Sequence, residues 1–129
     1  MKAVDTNVLV RLLVRDDARQ ARAARELIEG SAVWLPKTVL LETEWVLRHA
    51  YGFDRAAIAH ALGKVCGLPH VAVEDPPAVA QALSWLAEGL DFADALHLAS
   101  SQAAESFCTF DRRLASRARH AGQVRVQAI

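Results

Sequence analysis

Apolar positions in this chain follow two patterns. Short runs of three or four consecutive apolar residues read as buried strands. Longer stretches in which apolar residues return every three or four positions read as amphipathic helices. The strand candidates are residues 2–4, 32–35, 70–73, 107–109 and 124–126. Helices are expected over 7–14, then from a cap at Asp16 or Asp17 to a stop at Gly30, then over 38–50 and 54–65. Three more follow: one from Pro76-Pro77 to Gly89, one over 92–104 and one over 112–121. Glycine and proline at Gly30, Pro36, Gly52, Gly67 and Pro69 supply the punctuation. Strands alternating with helices predict one α/β domain over residues 1–129, with a mainly parallel central sheet flanked by helices on both faces. No repeat, low-complexity tract or linker interrupts it.

In open sheets of this kind ligands bind beyond the carboxyl ends of the strands. Asp5 directly follows the first strand and Asp111 lies just past the fourth. Each has an ordinary alternative as a helix N-cap, where its carboxylate accepts free amides and meets the positive end of the helix dipole. Glu42, in V-L-L-E-T-E-W-V-L-R, has no basic residue three or four positions away, and is expected on an apolar helix face or at its edge. Glu44 has Arg48 four residues on and reads as a surface ion pair. In G-L-D-F-A-D-A-L-H-L, Asp91 caps a helix. Asp94 either completes a capping box or turns into the cleft as a ligand. His97 is expected to be a half-buried helix residue. Thr109, two positions before Asp111, is placed to hydrogen-bond a neighbouring acid. Four acids without obvious partners (Asp5, Glu42, Asp94 and Asp111) thus fall where the fold would gather them. Gathered like charges raise one another's pKa unless a cation intervenes. Oxygen-only ligation suits Mg²⁺ or Mn²⁺.

Composition narrows the class. An apolar fraction of 53% and a charged fraction of 23% over 129 residues are those of a globular chain with a core of its own. Every apolar run is broken well before membrane-spanning length, and Asp5 and Arg11 interrupt any signal-peptide pattern, so an intracellular, cytoplasmic protein is expected. Cys66 and Cys108 have no metal-site spacing and read as reduced core residues. Fifteen basic and fifteen acidic side chains cancel, which gives no overall excess for nucleic acid. The basic residues are nonetheless clustered, at Arg11, Arg15, Arg19, Arg22 and Arg25 and again at Arg112, Arg113, Arg117, Arg119 and His120. Solvated helix faces account for most of these.

The ordered set D-T-N-V-L-V-R-L-L, V-L-L-E-T-E-W-V-L-R, D-F-A-D-A-L and T-F-D-R-R-L resembles the PIN domain, and within it the VapC toxins of bacterial toxin–antitoxin pairs. The likeness covers nearly the whole chain, although residues 53–88 contribute length rather than motif. Carried across by position, the family's acidic quartet falls on Asp5, Glu42, Asp94 and Asp111, with Thr6, Asn7 and Thr109 as the polar positions beside them. The resemblance implies a metal-dependent endoribonuclease, held inactive by a small antitoxin and usually homodimeric. The ion would be held by Asp5, Asp94 and Asp111, with Glu42 either completing its shell or steering the attacking water. RNA would then need basic flanks, for which Arg11, Lys37, Arg112 and Arg113 are candidates from their nearness to the acids. Trp34, Trp45, Trp85 and the Phe residues stand in apolar contexts. Core packing, or a dimer or antitoxin interface, suits them better than base stacking.

Two other readings compete. An aspartyl phosphotransfer enzyme would want a second acid two positions after Asp5, where Asn7 stands. A catalytically silent RNA- or partner-binding domain would use the same acids only as caps.

Overall fold

The computed structural model describes residues 1–121 and 124–129, the side chains of 119–121 excepted, so the side chains of Arg119 and His120 lie outside the described residues. Two compact units emerge, Met1–Pro76 and Pro77–Ile129. Among the described residues there are seven helices and five strands, and every strand pairing is parallel. The α/β class expected from the alternation is the class found.

The first unit holds β1 (Lys2–Ala3), α1 (Thr6–Val14), α2 (Ala18–Gly30), β2 (Val33–Leu35), α3 (Lys37–His49), α4 (Arg55–Cys66) and β3 (Val71–Val73). Its sheet has the order β1-β2-β3, in register at Lys2↔Val33 and Val33↔Val71. Aspartates start three of its helices. Asp5 accepts the Asn7 amide at 3.1 Å, Asp17 that of Gln20 at 3.0 Å and Asp54 that of Ala57 at 2.7 Å. Each bond satisfies an amide that the first helical turn leaves unpaired. Asp17, not Asp16, is therefore the α2 cap. Arg15 ends α1 with φ 60°, in the left-handed region, and its amide closes on the Arg11 carbonyl. Leu9, Val33, Leu35, Leu40, Leu47, Ile58 and Leu62 are wholly buried.

The second unit contains α5 (Pro76–Ala87), whose first residue belongs to the first unit, then α6 (Phe92–Ala99), β4 (Phe107–Thr109), α7 (Arg112–Ala121) and β5 (Val126–Ala128). Pro76 and Pro77 open α5, where missing amides cost nothing. Gly89, at φ +104°, turns the chain out of it. Two elements differ from expectation. Helix α6 stops at Ala99 rather than near 104, where the Ser101 hydroxyl donates to the His97 carbonyl at 2.6 Å. Strand β5 spans Val126–Ala128 rather than 124–126, because its register sets Phe107 against Val126 and Thr109 against Ala128. Among the described residues no helix is long and apolar enough to cross a membrane.

Candidate functional site

In the first unit, Asp5 leaves β1 and caps α1, so its carboxylate stands at the carboxyl end of a strand and the amino end of a helix at once. Cap and ligand need not compete, because the Asn7 amide occupies only Oδ1. The next residue, Thr6, is buried, and its hydroxyl donates to Oε1 of Glu42 on α3. Position 6 thus ties the first acid's neighbourhood to the second acid across 36 positions of sequence.

The phase of α3 corrects two expectations. Leu40, Thr43, Glu44 and Leu47 form its buried stripe, at the helical spacing of three and four. Glu44 is therefore not a surface residue. It is 1% exposed and bound by Arg48, whose Nε donates to Oε2 at 2.7 Å and whose Nη2 donates to Oε1 at 3.3 Å. Glu42 lies off that stripe and is exposed, with Thr6 as the partner that local sequence could not reveal.

The nearby basic candidates are occupied. Arg11 donates to Asp16 at 2.7 Å and also reaches the Tyr51 hydroxyl, which itself donates to Asp16. This pairing raises the Arg11 pKa, and Arg11 in turn lowers that of Asp16. Lys37 binds Asp75 at 2.8 Å, and its backbone amide donates to Glu74. Asn7 and Arg11 also line a cavity of about 400 Å³ shared by α1 and α2, whose opposite wall is mainly Ala23, Ala24 and Leu27.

In the second unit, Asp91 caps α6 by accepting the Asp94 amide at 3.2 Å, half of the capping box the sequence suggested. Asp111 caps α7, with Oδ1 accepting the amides of Arg113 at 2.9 Å and Leu114 at 3.0 Å. Its own amide donates to the Thr109 hydroxyl. Asp94 shows that these groups feel one another. Its pKa is raised first by burial, then by the charges of Asp91 and Asp111, while His97 pulls it down. His97 is exposed rather than half-buried.

A carboxyl whose pKa rises on folding holds its proton more tightly in the folded chain. Its stabilising contribution is complete below the unfolded value, about 3.9, and is lost as pH rises through the folded one. Asp94→Asn keeps the shape and removes the ionisation. Without added metal, its thermal midpoint is expected slightly above wild type at pH 7–8, the gain being limited because Asp94 is only partly buried. The two proteins should converge below about pH 3.9. A lower midpoint for the variant at neutral pH would mean that the Asp94 carboxylate stabilises the chain.

Each unit thus carries two acids of the expected quartet, Asp5 and Glu42 in one, Asp94 and Asp111 in the other. Among the described residues, no group of three or more His, Cys, Asp or Glu side chains is arranged to hold a metal ion. The donor chemistry nonetheless suits a hard cation, since all four are carboxylates and a hydroxyl supports one of them.

The aromatic residues divide. Trp85 is buried as expected, but Trp34 is at the surface, Trp45 is exposed beside His49 with ring centroids 4.7 Å apart, and Phe110 is 82% exposed. Phe110 stands in the bend after β4, outside any apolar stripe, so of core and interface only the interface half of the expectation remains for it. Cys108 is likewise exposed, whereas burial pushes the Cys66 thiol up to about 11.

Comparison with known families matches residues 2–120 to the PIN domain. No curated protein and no solved structure matches the chain.

Proposed function

The chain belongs to the PIN domain family, and from that premise we propose that it is a metal-dependent endoribonuclease, both units acting as one domain over residues 1–129. PIN domains are generally nucleases and typically use divalent metals. The family match over residues 2–120 carries the reading. Burial first, and then the charges of Asp91 and Asp111, disfavour the Asp94 carboxylate, and a bound cation would offset both.

Asp5, Asp94 and Asp111 would hold Mg²⁺ or Mn²⁺. A divalent ion so held supplies Lewis acidity toward a phosphodiester and toward water. Glu42, steadied by the Thr6 hydroxyl, would complete the ion's shell or orient the attacking water. Asn7 holds Asp5 through its backbone amide, a bond independent of its side chain, and the Thr109 hydroxyl holds the Asp111 backbone. Arg112 and Arg113 are exposed beside Asp111 and are better placed to meet phosphates than Arg11 and Lys37, which already hold carboxylates. We further propose that this nuclease is the toxin of a toxin–antitoxin pair, a cytoplasmic homodimer kept silent by a small antitoxin. The ordered VapC-like motifs support that narrower assignment.

The test is cleavage of single-stranded RNA. Internal cuts are expected with Mg²⁺ or Mn²⁺, none with EDTA, and recovery when Mn²⁺ is added in excess of the chelator. Cleavage that persists in EDTA, or no cleavage with either ion, defeats the assignment. Copurification of a small protein encoded beside this one, with inhibition on rebinding, tests the toxin role separately.

A further inference from the structure

Phe110 is the most exposed large apolar side chain among the described residues, more so than Met1 and Ile129 at the chain ends. Phe92 is buried, and Phe53 and Phe107 are partly covered. Its backbone is held firmly. On one side Thr109 belongs to β4, with its carbonyl accepting the Ile129 amide at 2.9 Å. On the other side Asp111 donates its amide to the Thr109 hydroxyl and caps α7. The ring is therefore presented to water from a rigid bend between a paired strand and a capped helix.

The surroundings indicate what would cover it. The three residues that follow are charged, Asp111, Arg112 and Arg113, and all three are exposed. No ion pair among the described residues engages either arginine. A protein-binding anchor is normally ringed by further apolar contacts, and the centre of such an interface is depleted in charge. An exposed ring followed in sequence by two exposed arginines, with Ile129 just past the adjoining strand as an exposed large apolar residue close by, matches instead the way single-stranded nucleic acid is held, with stacked bases and neutralised phosphates.

We propose that the Phe110 ring stacks on an unpaired nucleobase of the RNA next to the bond being cut, with Arg112 and Arg113 on adjoining phosphates. This rests on the nuclease reading above and names the part of the substrate that the Asp111 neighbourhood grips. Because every base offers a π-face, Phe110 strengthens binding without choosing a sequence.

The experiment measures dissociation constants for a short unstructured RNA by anisotropy, using protein that carries Asp94→Asn so that the RNA stays intact. Phe110→Ala and Phe110→Leu are expected to weaken binding by about tenfold, and Phe110→Trp to restore it. The salt dependence should be unchanged by all three, whereas Arg112→Ala should reduce its slope by about one. Leucine separates stacking from mere apolar contact, and an exposed ring puts folding at no risk. Equal affinity with and without the Phe110→Ala substitution, where wild type binds and cuts RNA, overturns this proposal alone. If wild type neither binds nor cuts RNA, both readings fall. If Phe110→Ala binds RNA normally but alters the oligomeric state, the ring belongs to a protein interface and the proposal is overturned.

Discussion

Asp5→Asn is expected to lower the rate of RNA cleavage at saturating Mn²⁺ by about a hundredfold or more while leaving the thermal midpoint within about 2 °C of wild type. Asn and Asp are equally good N-caps, and the bond to the Asn7 amide needs only a side-chain oxygen. The substitution therefore keeps the structural duty of position 5 and removes its charge. Losing one anionic ligand costs a Lewis-acid site several kcal/mol of transition-state stabilisation, at about 1.4 kcal/mol for each factor of ten in rate. Asp111→Asn makes the same separation at α7, where Oδ1 accepts two amides. Asp5→Ala is the control, because it should lose activity and also about 1 kcal/mol of stability with the cap. Full activity in the two Asn variants would reduce these acids to caps.

The second large effect concerns stability. Arg48→Ala is expected to destabilise the protein by about 3 kcal/mol in urea at pH 7–8, because it strands the Glu44 carboxylate inside α3's buried stripe. A surface pair at this spacing would contribute only about 0.3–0.5 kcal/mol. The difference between the two figures is the cost of an uncompensated buried charge. Replacing both partners by methionine removes that charge, and the double variant should return to within about 1 kcal/mol of wild type. If Arg48→Ala and the double variant lose equal stability, what matters at these positions is packing and not charge.

That pair also shows where the sequence was legible and where it was not. The order of elements could be read because Gly30, Pro36, Gly52, Pro76-Pro77 and Gly89 stand where chains turn, and apolar runs between them are too short for helices. Aspartates at 5, 54, 91 and 111 were readable as caps for the same local reason. Phase within a helix was harder. Leu40 and Leu47 mark the inward face of α3, and on that register Glu44 points in and Glu42 out. Local charge partners alone suggest the opposite orientation. The Thr6–Glu42 bond is long-range and leaves no trace in spacing. The end of helix α6 at Ala99 is not readable from sequence, because the residues after Ser100 have ordinary helical propensity and the Ser101 hydroxyl takes the His97 carbonyl. The bounds of strand β5 are not readable either, because the alternation V-R-V-Q-A-I admits more than one register and pairing with β4 selects one.

On the proposed reading, Asp5 and Asp111 would serve as ligands while remaining caps. A side chain anchored to its own helix has surrendered most of its rotational freedom before any visitor arrives. For Asp5 and Asp111, gripping an ion would therefore cost little further ordering. Such an ion could come and go while α1 and α7 keep their starts, so chelators should strip it without loosening either helix.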